Sequence, residues 1–263
     1  MGASMNLQVG IKGLKRGSNI LDLQVPAELK RKRKTGLDFF DDGLGGEGFT
    51  PSTSMMLTGG PGCGKTTMML QLADAITGSG HIALMNTGEE SLYQVRMVTE
   101  RLKLKHGFVP GQDTKVADLL AHAKMLQDKE VEREKDASKR KQVFIIQDSL
   151  QTLDDGFYGN GATNSCTPLR CCELLTDWAK STYGILVFIG QVTKSGEFAG
   201  KNAIKHAVDV HGRLYFDDDK KSETYGRRLF EFTKNRFGCN GKTYILGMEK
   251  TGLREEGSFS KAG

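Results

Sequence analysis

The stretch Gly59-Gly60-Pro61-Gly62-Cys63-Gly64-Lys65-Thr66-Thr67 constrains this chain more than any other. Gly59, Gly64, Lys65 and Thr66 fit the phosphate-loop spacing G-x-x-x-x-G-K-[ST]. The flanks fit as well. Met55-Met56-Leu57-Thr58 is a short apolar run suited to a buried strand, and Met69, Leu72, Ala73 and Ile76 recur at helical spacing after the loop. Glycines let backbone N–H groups converge on phosphate oxygens. The helix that follows adds partial positive charge at its N-terminus. Lys65 is suited to the β- and γ-phosphates, and the Thr66 hydroxyl to Mg²⁺. All nine residues are therefore candidate ligands of ATP.

A chain of 263 residues has room for one large domain with a small appendage. No stretch approaches the ~20 apolar residues of a membrane helix, and no apolar signal core opens the sequence. The five cysteines form no C-x-x-C pair, so neither a disulfide framework nor a zinc site is expected. A cytoplasmic protein without membrane contact is the resulting expectation. The net charge of +5 permits nucleic-acid binding without requiring it. The block Lys30-Arg31-Lys32-Arg33-Lys34 reads as a solvated linker or as a phosphate-contacting arm.

Three segments follow from this pattern: a basic, partly disordered extension over 1–34, a nucleotide-binding domain over 35–253, and a flexible tail over 254–263. Within the extension, Leu21–Val25 alternates like a short strand. His81–Asn86 is a second core strand. It ends in Gly88-Glu89-Glu90-Ser91, where Ser91 is placed to cap a helix running to Leu102. Val116, Leu119, Leu120 and Ala123 mark another helix, with a charged, solvent-facing or looped continuation from Asp128 to Lys141. Val143-Phe144-Ile145-Ile146 is the strongest strand, and the Asp148 just after it suits a Mg²⁺ ligand. A long polar stretch, 151–167, precedes a helix from Pro168 to Ser181 in which Trp178 reads as core. Ile185–Ile189 is a buried strand leading to Gln191 and a second polar loop. Segments 213–216, 228–233 and 243–248 read as strands. Alternating strands and helices predict an α/β P-loop NTPase core, a mostly parallel central sheet with helices on both faces.

Several of these stretches together resemble the RecA-type core of the bacterial RadA/Sms family. The match runs from about Thr35 to Leu253. It includes Thr35-Gly36, Leu44-Gly45-Gly46, the phosphate loop, Gly88–Ser91, Asp148–Thr152, Gln191–Lys194 with Ala199-Gly200, His206–Asp209, and Lys234-Asn235-Arg236-Phe237-Gly238. The family's four-cysteine zinc element and Lon-like domain have no counterpart in these motifs, so a stand-alone core is expected. The resemblance implies a DNA-stimulated ATPase, or a helicase-type translocase, that binds single-stranded DNA and drives branch migration in recombination and repair. It also implies a homo-oligomer, a hexameric ring or a filament. By position, Glu89 matches the carboxylate that polarises the attacking water and Asp148 the Mg²⁺ ligand beside Thr66. Gln191 matches a γ-phosphate sensor, and Lys234 and Arg236 match basic groups completing a neighbour's site. The loops 151–167 and 192–203 match DNA-facing loops, with Lys194, Phe198 and Lys201 as candidate contacts. The competing reading is a RecA-fold regulatory ATPase or protein kinase of the circadian-clock KaiC type.

Overall fold

The computed structural model describes residues 17, 19–159, 161–191 (Gln191 by its backbone), 203–238 and 241–260. In chain order these form α1 (Ala27–Lys30), α2 (Asp38–Gly43), β1 (Ser54–Gly59), α3 (Lys65–Gly78), β2 (Ile82–Thr87), α4 (Leu92–Leu102), β3 (Val109–Gly111) and α5 (Val116–Arg133). There follow β4 (Val143–Asp148), α6 (Thr167–Thr182), β5 (Ile185–Gln191), α7 (Ala203–Ala207), β6 (Val210–Phe216), β7 (Arg228–Asn235), β8 (Lys242–Glu249) and β9 (Gly252–Ser260). The described strands make one nine-stranded sheet, ordered β3-β2-β4-β5-β1-β6-β7-β8-β9. The first six in that order pair in parallel, and β6 to β9 are antiparallel. The expected mostly parallel α/β sheet is therefore present.

The strands β1, β4 and β5 are apolar enough to bury on both faces, as a covered parallel sheet requires. Met55 and Leu57 enter one core cluster and Met56 the other, following the two-residue period of a strand. The first cluster lies under α2, α3 and α4; the second lies under α5, α6 and α7. Trp178 belongs to the second, as core. Beyond β1, Phe40 packs among Phe49, Phe230 and Phe232 at ring separations of 5.9, 5.5 and 5.3 Å. Aromatic pairs at such distances add about 0.5–1.5 kcal/mol each beyond their buried area. This ties α2 and the antiparallel strands to the rest of the sheet.

Several stretches depart from the sequence expectation. Leu21–Val25 is no strand. Ile20–Asp22 is a 3₁₀ turn whose Leu21 N–H donates to the Asn19 side chain, and Leu21 is 87% exposed. An isolated alternating run with no neighbouring edge has no ladder to join. The basic block is not uniformly solvated, because Arg33 exchanges two backbone hydrogen bonds with Phe49 (2.7 and 2.8 Å) and is buried. α5 continues to Arg133 within its charged stretch, since Glu130 is buried, accepting from the Arg133 side chain and the Lys141 N–H. The tail expected after residue 253 is instead paired. β9 runs to Ser260 against β8, and its charged residues sit on an exposed edge strand, where charge is common.

Candidate functional site

β1 delivers the glycine loop at its carboxyl end, and α3 begins at Lys65. Gly64 caps α3 with φ +100°, a left-handed conformation that residues with a Cβ seldom adopt. At Gly59 a Cβ would stand 2.1 Å from the Leu214 carbonyl oxygen and 2.7 Å from Cys63 Sγ, so only glycine fits there. Lys65 arches back over the loop. Its Nζ donates to the carbonyls of Gly59 (2.9 Å) and Gly60 (3.0 Å). Cys63 is buried, and burial raises its thiol pKa. That environment leaves it a packing group of the loop instead of a nucleophile.

Two carboxylates and their partners meet this loop. Thr66 Oγ1 donates to Asp148 Oδ2 at 2.7 Å. Burial pushes the Asp148 pKa up to about 6; the Thr66 hydrogen bond opposes this, and the Glu89 and Glu90 charges add to it. Burial disfavours the ionised form, so a cation bound beside Asp148 would stabilise its charge. Among the described residues no group of three His, Cys, Asp or Glu side chains could cage a metal. The Thr66–Asp148 oxygen pair instead suits Mg²⁺, which keeps most of its shell for water and phosphate oxygens. Glu89 follows β2, and its Oε1 accepts from Ser149 Oγ at 2.7 Å. Glu90 differs. Its Oε2 is buried with no partner among the described residues, and its carbonyl accepts from Gln112. Ser91 caps α4 in a reciprocal capping box with Gln94, which fixes where both acids leave the strand.

Ser149, directly after Asp148, is a site residue that the sequence motifs alone do not single out. A second missed feature lies deeper. His211 Nε2 is 2.8 Å from Thr58 Oγ1, and its Nδ1 bonds Thr233 Oγ1. Burial drops the His211 pKa to about 4, so the neutral ring bridges β1 to β7. Nothing local in the sequence signals this bridge, because Thr58, His211 and Thr233 meet only through the sheet order.

The other expected residues are placed as follows. Gln191 closes β5 opposite Gly59; its side chain, with Lys194, Phe198 and Lys201, lies outside the described residues. Lys234 and Arg236 do not approach the glycine loop of their own chain. Asn235 pairs with Val210, which pairs with Met55 at the start of β1, roughly 15 Å from the loop at about 3.3 Å per residue. Lys234 Nζ donates to the carbonyls of Lys205 (3.1 Å), His206 (3.1 Å) and Val208 (2.6 Å), and burial lowers its pKa. Arg236 pairs with Asp209 at 3.1 Å. Both therefore hold the junction of α7 and β6.

The first long loop is better anchored than its composition suggests. The Asp154 N–H donates to the Thr114 carbonyl (2.8 Å), and the Asp154 carbonyl accepts from the Val116 N–H (2.9 Å). Arg170, on α6, pairs with Asp155 and stacks over Phe157 at 4.6 Å. Phe157 remains exposed. This loop follows β4, and the second loop follows β5, the adjacent strand. Both thus leave the sheet at the end that carries Asp148 and the glycine loop.

No family model matches the chain. Curated relatives do. It is 32% identical over 216 residues to a protein described as "DNA repair protein RadA" of Brucella abortus, covering 81% of this chain and 43% of the relative. It is 34% identical over 217 residues to the protein of that description from Mycobacterium tuberculosis, covering 82% and 41%. The chain spans less than half the length of these relatives. Among solved structures, an isolated ATPase domain superposes with a TM-score of 0.69 at 15% identity, covering 84% of this chain and 90% of that one. A DnaB-like replicative helicase gives the same score and identity, covering 84% and 61%. These two likenesses establish the fold. Among the described residues no helix is long and apolar enough to cross a membrane.

Proposed function

We propose that this chain, which carries the RecA-type ATPase core of the RadA DNA repair family, is an ATP-hydrolysing motor acting on single-stranded DNA in recombination or repair. It works as a ring or filament of identical subunits, with a nucleotide site at each interface. One observation carries the reading. Lys65, the Thr66–Asp148 pair and Glu89 gather at one end of the sheet, and the two long loops leave the neighbouring strands β4 and β5 at that same end.

In this reading the loop N–H groups and Lys65 hold the phosphates, and Thr66 with Asp148 holds Mg²⁺. An ion held there would withdraw charge from the phosphate oxygens; the other roles fall to the chain's own residues. Glu89, oriented by Ser149, orients and deprotonates the attacking water. Gln191 senses the γ-phosphate and passes its state to the loop beginning at Val192. Lys234 and Arg236 serve a neighbouring subunit, which their distance from their own glycine loop supports.

Glu89→Gln is expected to retain nucleotide binding while hydrolysis falls by about 10²–10⁴, the usual scale for losing general-base assistance. Single-turnover rates beside equilibrium binding check this. A larger loss in Glu90→Gln would move the role to the adjacent acid.

DNA affinity is expected to fall steeply with salt. Removing Lys194 or Lys201 should flatten the slope of log K against log salt by about 0.7 per lost phosphate contact on a single strand. Phe198, stacked on a base, contributes roughly 1–3 kcal/mol. Fluorescence anisotropy with labelled oligonucleotides at several salt concentrations gives these slopes. Unchanged slopes in both lysine variants would place DNA elsewhere, with Lys30–Lys34 the next surface to test.

A further inference from the structure

A cavity of about 380 Å³ opens between the N-terminal segment, α5 and the residues leading into β4. Val143, which lines it, starts β4, and Asp148 ends that strand. The cavity therefore lies at the end of the sheet opposite the glycine loop, roughly 17 Å away at about 3.3 Å per residue. Its charged lining is Arg33, Arg140 and Lys141 with Glu28 and Glu130.

Arg33 is the unusual member. Only 6% of it is exposed, and its backbone is fixed by the two hydrogen bonds to Phe49. Its Nε is buried without a partner among the described residues. Burial and the nearby Arg31 charge lower its pKa, opposed in part by Glu28. Glu130 is engaged elsewhere, accepting from the Arg133 side chain and the Lys141 N–H. Arg140 is held at the rim, where it donates to the carbonyls of Glu134 (2.9 Å) and Lys135 (3.0 Å). Arg31 clips the N-terminal segment to the same region through the Ser138 carbonyl. A second buried nitrogen without a partner, His81 Nδ1, lies in this neighbourhood. Burial and the Arg33, Arg31 and Lys141 charges drop the His81 pKa to about 4, so the ring is neutral at pH 7 and sits in a positive field.

A buried charge is costly unless a counter-ion pairs with it. With Glu130 taken by Arg133, the three lining cations against Glu28 leave two positive charges facing the cavity. A phosphate dianion matches that charge, and a guanidinium edge suits its oxygens. We propose that this cavity is a phosphate site, in which Arg33, Lys141 and Arg140 hold a phosphate dianion, either free or as a terminal phosphate monoester. It is separate from the glycine loop and does not depend on the nucleotide-binding reading.

The test titrates inorganic phosphate by calorimetry into the full chain, with the glycine loop kept filled by a non-hydrolysable ATP analogue and Mg²⁺ and the ionic strength held constant with chloride. One saturable site is expected, and the His81 ring signals in NMR spectra should move along the same saturation curve. Arg33→Gln should weaken phosphate by about 10- to 100-fold, the scale of one hydrogen bond to a charged group, and leave affinity for the ATP analogue unchanged. Lys141→Gln should weaken it by a smaller factor. Lys141 is exposed, so that variant keeps the test decisive if Arg33→Gln does not fold. Competition by a 5′-phosphorylated oligonucleotide, but not by the unphosphorylated strand, would support the site with a nucleic-acid end as its ligand. Saturable phosphate binding with no competition from either strand would support it with a small phosphate compound. Absence of saturable binding in the wild-type chain would overturn the site. Unchanged binding in both variants would also overturn it, by placing the ion elsewhere.

Discussion

Lys65→Ala is expected to bring ATP turnover to background. The side chain is held over the glycine loop by the Gly59 and Gly60 carbonyls, so it needs only a small swing to meet the β- and γ-phosphates. Arg228 is a poor substitute, because it reaches the loop through the Cys63 carbonyl and is occupied against Phe216. Loop carbonyls and phosphate oxygens alone would repel, and the Lys65 ammonium is the group that makes their approach favourable. Lys65 is only part-buried, so its removal leaves the core intact and circular dichroism should match wild type. Turnover near the wild-type rate in a folded Lys65→Ala variant would remove the basis for a nucleotide site at this loop.

The second large effect is expected between subunits. Lys234→Ala or Arg236→Ala should bind ATP normally and hydrolyse it about 10³–10⁵-fold more slowly, the scale of a cationic finger aimed at a transferring phosphoryl group. The register that sets Asn235 opposite Val210, and Val210 opposite Met55, keeps these groups from the site of their own chain. Their present partners are the carbonyls of Lys205, His206 and Val208, and Asp209. That network involves α7, which follows segment 192–202 in the chain, the segment proposed above to meet DNA. Mixing separates this from a purely local role. A Lys234→Ala chain and a Lys65→Ala chain, each inactive alone, should recover partial turnover when co-assembled, because some interfaces then unite one intact half from each. Absence of rescue in demonstrated mixed assemblies would place Lys234 outside a shared site.

How much of this was legible depends on how far apart the determinants lie in the chain. The phosphate loop, the Ser91 cap and the Val143–Ile146 strand with its Asp148 each sit within a dozen residues, where periodicity and capping chemistry act locally. The burial of Arg33 depends on Phe49, and the Thr58–His211–Thr233 bridge spans three strands. Such contacts exist only after the sheet order is set. β3 was hidden because Val109-Pro110-Gly111 has the composition of a turn, and proline belongs in sheets only at edges; β3 is the edge. β9 was hidden because its charges suit an exposed outer strand as well as a tail. The site followed the same division. Lys65, Thr66, Glu89 and Asp148 stand in sequence motifs, whereas the contacts of Ser149 with Glu89 and of Arg228 with the Cys63 carbonyl depend on the assembled fold.

The central claim is that ATP hydrolysis at the glycine loop is coupled to single-stranded DNA held by the loops after β4 and β5. Steady-state ATPase rate, with and without single-stranded DNA at low salt, tests it most directly. The account predicts a rate that rises on adding DNA and returns to basal as salt releases the strand. An ATPase indifferent to DNA, in a chain that binds no oligonucleotide at low salt, would contradict it and favour a RecA-fold ATPase or kinase acting on protein.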